Sequence, residues 1–154
     1  MNSLDVPLVG VAGPTSLRAH LRQAGVIVYF VRDFGCHSCA NHALSLAESF
    51  VHLQAEGYGV VVVGSGSAAQ ADKVKARLKL PFDVLADPTH EAFDAFGLGK
   101  VLGYWQKSGC FVVDLAGKTT YGKPSNSPKE GLDVHELLSA VRQGPVPTGD
   151  KPCA

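Results

Sequence analysis

The sequence predicts an α/β fold with a central mixed β-sheet flanked by helices, and three features carry that reading. Apolar runs of strand character alternate with stretches of helical periodicity. Two of those runs, at 26–31 and 60–63, are unbroken, as in parallel strands covered on both faces. The chain then ends in a hairpin signal and one more helix, which adds antiparallel strands to the sheet. With 154 residues, 45% hydrophobic and 18% charged, the chain can bury a sizeable core. One domain over residues 1–154 is expected, with a lead-in at 1–14 and a loose tail at 144–154.

Each element has its own signal. Residues 1–14 are rich in small and turn-forming types and read as an extended lead-in. Thr15 or Ser16 caps a short helix through Ala24, with Leu17 and Leu21 on one face and Gly25 as its stop. The strand at 26–31 gathers β-branched and aromatic residues. A helix over 40–56 closes at Gly57, with Leu44, Ala47, Val51 and Ala55 recurring at three- and four-residue spacing. After the 60–63 strand, Gly64-Ser65-Gly66-Ser67 reads as a tight turn without a phosphate-binding pattern. A helix over 68–80 follows, with Val74 and Leu78 inward and Pro81 as its end. A short strand covers 82–86. Asp87-Pro88 opens a helix that runs to Phe96 and stops at Gly97. Strands at 109–115 and 118–122 meet at Ala116-Gly117. The last helix spans 131–142, with Leu137, Leu138 and Val141 as its apolar stripe. Crossovers between parallel strands are expected to be right-handed.

Composition narrows the function classes. Fourteen basic and fourteen acidic residues balance, and no basic patch stands out, which argues against nucleic acid or an anionic membrane as partner. No apolar run approaches the roughly 18 residues a membrane span needs. The N-terminal residues lack the pattern of a secretory signal, so a cytoplasmic location is the expectation. In a reducing compartment the four cysteines are not a disulfide scaffold.

The chemistry concentrates in Gly35-Cys36-His37-Ser38-Cys39, a C-x-x-C pair where a strand meets a helix. A thiol at a helix start lies at the positive end of the helix dipole and near unpaired N–H groups. Both favour the thiolate, the reactive form. Two thiols at this spacing can close a disulfide and reopen it. Cys36, at the N-cap, is expected to be the more exposed and to attack; Cys39, one turn in, is the shielded partner. His37, when charged, would favour the thiolate further. The blander alternatives are two buried hydrophobes and a metal site using Cys36, Cys39 and His42. The latter lacks the second C-x-x-C that a structural zinc usually needs, and no cofactor is called for. Cys110, in a strand, reads as a core residue. Cys153 falls in the tail. Tyr104-Trp105 either wall the site or simply pack, and His20, His52, His90 and His135 read as surface or packing residues.

With the C-x-x-C after the first main strand, the element order resembles the thioredoxin fold. Three segments are similar to peroxiredoxins of the AhpC/TSA type, and to the selenoprotein-U-like group within them: Val28-Tyr29-Phe30-Val31-Arg32-Asp33-Phe34-Gly35-Cys36-His37-Ser38-Cys39, then Val84-Leu85-Ala86-Asp87-Pro88 through Ala95-Phe96-Gly97, and Gly109-Cys110-Phe111-Val112-Val113-Asp114 with Gly117. They cover roughly residues 25 to 122. Peroxiredoxins carry Pro-x-x-x-Thr/Ser-x-x-Cys. Placed on this chain, the peroxide-attacking cysteine falls on Cys39, the Thr/Ser on Cys36 and the Pro on Arg32. A second family arginine falls on Ser108, leaving Arg32 or Lys107 to supply charge. Thioredoxins have a cis-proline before the late strand, where this chain has Gln106-Lys107-Ser108-Gly109.

The resemblance implies an antioxidant oxidoreductase that reduces peroxides through a Cys36–Cys39 disulfide, with Arg32, Gly35 and His37 in support. It also implies a thiol electron donor of the thioredoxin or glutathione type. The alternatives are a thioredoxin-like disulfide reductase and a non-enzymatic sensor whose cysteine pair records oxidation. The two parents assign opposite orders of attack: Cys36 first in the thioredoxin manner, Cys39 first in the peroxiredoxin manner.

Overall fold

The apolar run at 26–31 becomes a central strand. The computed structural model describes residues 2–101, 105–125 and 132–143. A 3-10 turn at Ser3–Asp5 leads into β1 (Leu8–Gly10) and β2 (Gly13–Thr15), and a second 3-10 turn covers Leu17–His20. Then come β3 (Gly25–Phe30), α1 (His37–Ala55), β4 (Tyr58–Gly64), α2 (Ala68–Leu78), β5 (Asp83–Ala86) and α3 (Glu91–Ala95). The chain continues through β6 (Lys100–Val101), β7 (Trp105–Gln106), β8 (Ser108–Asp114), β9 (Thr119–Ser125) and α4 (Val134–Gln143). Seven strands form one mixed sheet in the order β2-β1-β5-β4-β3-β8-β9, and β6 pairs with β7 in a separate ribbon. β3, β4 and β5 are parallel to one another, whereas β8 runs antiparallel to β3 and β9 to β8. This is the α/β, thioredoxin-like arrangement the sequence predicts.

Strand alternation divides the core in two. Ile27, Tyr29, Val60, Val62, Cys110 and Val112 face α1, α2 and α4, where Leu46, Leu53, Ala71, Leu137 and Val141 pack on them. Val26, Val28, Phe30, Val61, Val63 and Phe111 form the opposite face, covered by Leu4, Leu8, Leu17, Phe93 and Leu98. Every residue of β3 and β4 is buried, as parallel strands covered on both sides require. No helix among the described residues is long and apolar enough to cross a membrane.

Four expectations are corrected. The lead-in is structured: Asn2 caps the first 3-10 turn by accepting the Leu4 N–H at 2.9 Å, and Leu4, Val6 and Leu8 cover the face of the sheet that has no long helix. The helix expected up to Ala24 is only the turn at Leu17–His20; Ser16 makes no side-chain cap bond, and Gly25 begins β3 instead of stopping a helix. The buried face of α1 is Cys39, Ala43, Leu46 and Leu53, while Leu44 and Val51 are exposed, Val51 by 72%. Both stripes have helical spacing; the one that begins at Cys39 points at the sheet, and of the expected one Ala47 alone packs against the core. Finally, Asp87-Pro88 forms a turn ahead of α3, which is confined to Glu91–Ala95; buried Asp87 accepts the Phe93 N–H at 3.0 Å. The 144–154 tail with Cys153, together with Tyr104, lies outside the described residues.

Candidate redox site

β3 carries the chain to the site. Beyond its last residue, the Val31 N–H still donates to the Val63 carbonyl at 2.9 Å, and the loop 32–35 then turns into α1. Asp33 holds that loop: its Oδ1 accepts the Gly35 N–H at 2.8 Å and its carbonyl accepts the Cys36 N–H at 3.2 Å. Cys36 occupies the N-cap with extended backbone, and its Sγ accepts the Cys39 N–H at 3.3 Å. Its sulfur thus takes the place of the oxygen that a Ser, Thr or Asp cap would offer. Cys39 lies one turn in, 1% exposed against 7% for Cys36, and both are free thiols.

Two polar groups meet the Cys39 sulfur. The Arg32 backbone N–H donates to it at 3.4 Å. The hydroxyl of Tyr29, fully buried on β3, lies against it from the sheet side. Burial pushes the Cys39 thiol up to about 12, and its hydrogen bond with Cys36 adds to the rise; the Arg32 N–H and the Tyr29 hydroxyl act in the other direction. The Tyr29 hydroxyl also bonds His42 Nδ1 at 3.0 Å, the two rings meeting edge-on at 5.9 Å between centroids. Burial lifts the Tyr29 phenol far above its ordinary range and lowers the His42 imidazole below its own.

On the other side of the thiols lies a small, partly open pocket walled by Val31, Phe34, Val62, Val74 and Leu78, with Arg77 of α2 and Asp33 also lining it. It leaves about 10 Å³ of free space, room for roughly one water. The Phe34 ring closes it by lying over Gly64 and Gly66, and a Cβ at Gly66 would stand 2.7 Å from that ring. The glycines of the 64–67 loop therefore make room for an aromatic cover on the site.

The AhpC/TSA family matches this chain over residues 5–121, a span that holds the whole site. The chain belongs to the AhpC/TSA family. A stretch of 69 residues, 45% of this chain, is 38% identical to "Thioredoxin-like protein AAED1, chloroplastic" of Arabidopsis thaliana and spans 28% of that protein's length. The fold is similar to that of the peroxidoxin BcpB from Mycobacterium tuberculosis, with a TM-score of 0.77 and 18% identity over 93% of this chain and 97% of that one. Peroxiredoxin Q of Xanthomonas campestris gives a TM-score of 0.77 at 19% identity, covering 92% of each chain.

Within this AhpC/TSA chain, the structure brings Cys36 and Cys39 together with Arg32, but Arg32 reaches Cys39 through its backbone. Its guanidinium pairs with Asp33, Nε to Oδ2 at 3.5 Å. Gly35 is an exposed member of the turn. His37 opens α1, and its side chain, like that of Trp105, lies outside what the structure describes. Ser108 is buried on the sheet face it shares with Cys110, its Oγ without a partner among the described residues. Cys110 is a fully buried core residue paired across the sheet with Tyr29, and burial pushes its thiol up to about 12. His42 bonds Tyr29, and no three metal-ligating side chains cluster among the described residues.

Sequence reasoning passed over Tyr29 and the cover formed by Phe34. A signal for Tyr29 exists: a phenol in an otherwise aliphatic buried strand needs a polar partner. His42, one turn after Cys39 on the same helix, supplies it.

Proposed function

We propose that this chain reduces a small peroxide through a Cys36–Cys39 disulfide cycle, with Cys36 as the attacking thiol. The observation that supports this most is the N-cap geometry. The Cys36 sulfur receives an amide hydrogen bond and is the more exposed of the pair, while Cys39 is held one turn in as a buried neutral thiol. In the first step the Cys36 thiolate attacks one peroxide oxygen, the O–O bond breaks, and the alcohol or water leaves with the second oxygen. Cys36 is then a sulfenic acid. Cys39 sulfur attacks it, the S–S bond forms, and water departs. A thiol donor of the thioredoxin or glutathione type reduces the disulfide by exchange. The free space beside the thiols favours a small oxidant. A reducing compartment, the cytoplasm, and placement in the selenoprotein-U-like group belong to the same proposal; the C-x-x-C supports both.

Turnover coupled to NADPH oxidation, run side by side with hydrogen peroxide and with a small disulfide, tests the reading. Many equivalents of peroxide consumed per chain are expected, with loss of two hydrogens on the peptide carrying both cysteines. Cys36→Ser should abolish turnover, and Cys39→Ser should leave a sulfenic acid trapped on Cys36. A sulfenic acid found only on Cys39 reverses the order of attack. Disulfide turnover without peroxide turnover makes the chain a disulfide reductase, and a single stoichiometric oxidation makes it a sensor.

A further inference from the structure

We propose that Tyr29 and His42 form a proton relay that takes the thiol proton of Cys39 out to the cleft between α1, β9 and α4, so that the buried sulfur can close the disulfide. The proposal rests on the Cys36–Cys39 cycle. The geometry is a continuous path. Cys39, shut in at 1% exposure, lies in the same buried cluster as Tyr29, and the Tyr29 hydroxyl stands 3.0 Å from His42 Nδ1. His42 lines an open cleft of about 680 Å³ together with Ser45, Lys123, Ser125 and Asp133. The imidazole therefore joins a buried hydroxyl to solvent.

Closure needs such a path. Burial holds the Cys39 thiol well above the ordinary cysteine range, so at pH 7 it keeps its proton. The relay supplies the missing step. The Cys39 S–H proton passes to the Tyr29 oxygen as the Tyr29 O–H proton passes to His42 Nδ1, so that Cys39 becomes the thiolate and His42 the imidazolium. The thiolate attacks the sulfenic sulfur of Cys36, the S–O bond breaks, and the departing hydroxide takes a proton from solvent water on the Cys36 side and leaves as water. His42 returns one proton to solvent through the cleft and regains the Nε2–H tautomer, its Nδ1 again free to accept. Burial lowers the imidazole pKa, so His42 is neutral and ready to accept at pH 7. The groups facing this path are the thiols of Cys36, Cys39 and Cys110 around Tyr29, and Lys123 of β9 and Asp133 ahead of α4 around His42. The two cleft charges are of opposite sign.

A peroxide pulse followed by timed alkylation separates the two steps. Sulfenic acid on Cys36 is read in a Cys39→Ser background, and disulfide closure in the intact pair. Tyr29→Phe and His42→Gln should slow closure by roughly 10²-fold, the usual contribution of a positioned acid or base, with the first oxidation proceeding. Wild-type closure should rise with pH through a value below the ordinary histidine range and then level. In His42→Gln it should instead climb steadily into the alkaline region, following Cys39 ionisation. Imidazole, admitted by the cleft, should restore closure in His42→Ala and do nothing for His42→Gln. His42 is only partly buried, so its variants keep the test alive where Tyr29→Phe disturbs the fold. Wild-type closure rates in folded Tyr29→Phe and His42→Gln overturn the relay and leave the disulfide cycle standing. A wild-type protein that never closes the disulfide overturns both.

Discussion

The Arg32 N–H donates to Cys39 Sγ at 3.4 Å, from the position at which the peroxiredoxin pattern places a proline. Proline has no N–H to give. The departure from the pattern therefore adds a hydrogen bond to the buried sulfur, and the arginine's charge goes to Asp33.

Arg32→Pro and Arg32→Ala should behave differently for that reason. Arg32→Ala retains the N–H and should close the disulfide close to the wild-type rate. Arg32→Pro deletes it, and a hydrogen bond to a charged group contributes about 1.5–3 kcal/mol. The Cys39 thiol should rise further, and closure at neutral pH should slow by roughly 10- to 100-fold. Timed alkylation after a peroxide pulse reads both variants. Equal slowing in the two would show that the guanidinium, and not the amide, serves the sulfur.

The Phe34 cover gives a substrate-size prediction. Gly64→Ala places a methyl into the Phe34 ring and must push the ring away from the thiols. It should cost about 1–3 kcal/mol, as overpacking of a buried site does. Phe34→Ala should open the same pocket without the clash. In both variants a bulky alkyl hydroperoxide should gain on hydrogen peroxide, read as the ratio of their second-order rates. An unchanged ratio would place oxidant entry elsewhere than under Phe34.

Much of this was legible in the sequence, for physical reasons that can be named. The runs at 26–31 and 60–63 are buried on both faces, so their strand character survives any choice of neighbour, and the C-x-x-C announces its place at a strand–helix junction. The face of α1 was not legible. Leu44 and Val51 are as apolar as Leu46 and Leu53, and spacing alone does not say which stripe meets the sheet. The first 15 residues hide their role because Leu4, Val6 and Leu8 are separated by turn-forming residues. The pairing of Tyr29 with His42 joins residues 13 apart, each of which has an ordinary packing role until the helix is laid on the strand.

Stability should fall in alkali, and the buried thiols set the window. Burial raises Cys39 and Cys110 to about 12 in the folded state, whereas a free cysteine ionises near 8.5. Thiols whose folded pKa is raised bind protons more tightly in the folded chain. Their contribution is complete below about pH 8.5 and is lost as pH climbs towards 12. Each thiol should take away about 1.4 kcal/mol per pH unit in that interval. Urea unfolding of the reduced protein at several values from pH 8 to 11 measures the slope. Cys110→Ala should flatten it by one thiol's share, and a slope unaltered in that variant would mean that Cys110 ionises in the folded chain as readily as in the unfolded one.

Ser108 should limit the rate with peroxide. It stands where the family pattern has an arginine, and its buried Oγ has no partner among the described residues. Peroxide reduction is accelerated by donors that stabilise charge moving onto the leaving oxygen, and loss of one preorganised donor typically costs about 10²–10³ in rate. Stopped-flow mixing with hydrogen peroxide should therefore give a slow first oxidation. Ser108→Arg distinguishes the two orders of attack. If Cys36 attacks, the new guanidinium is a buried charge without a partner, so the variant should lose several kcal/mol of stability and gain no rate. If Cys39 attacks, its thiolate pairs with that guanidinium, and the first oxidation should accelerate towards the lost 10²–10³. A faster Ser108→Arg variant would thus overturn Cys36 as the attacking thiol, and a destabilised one with an unchanged rate would support it.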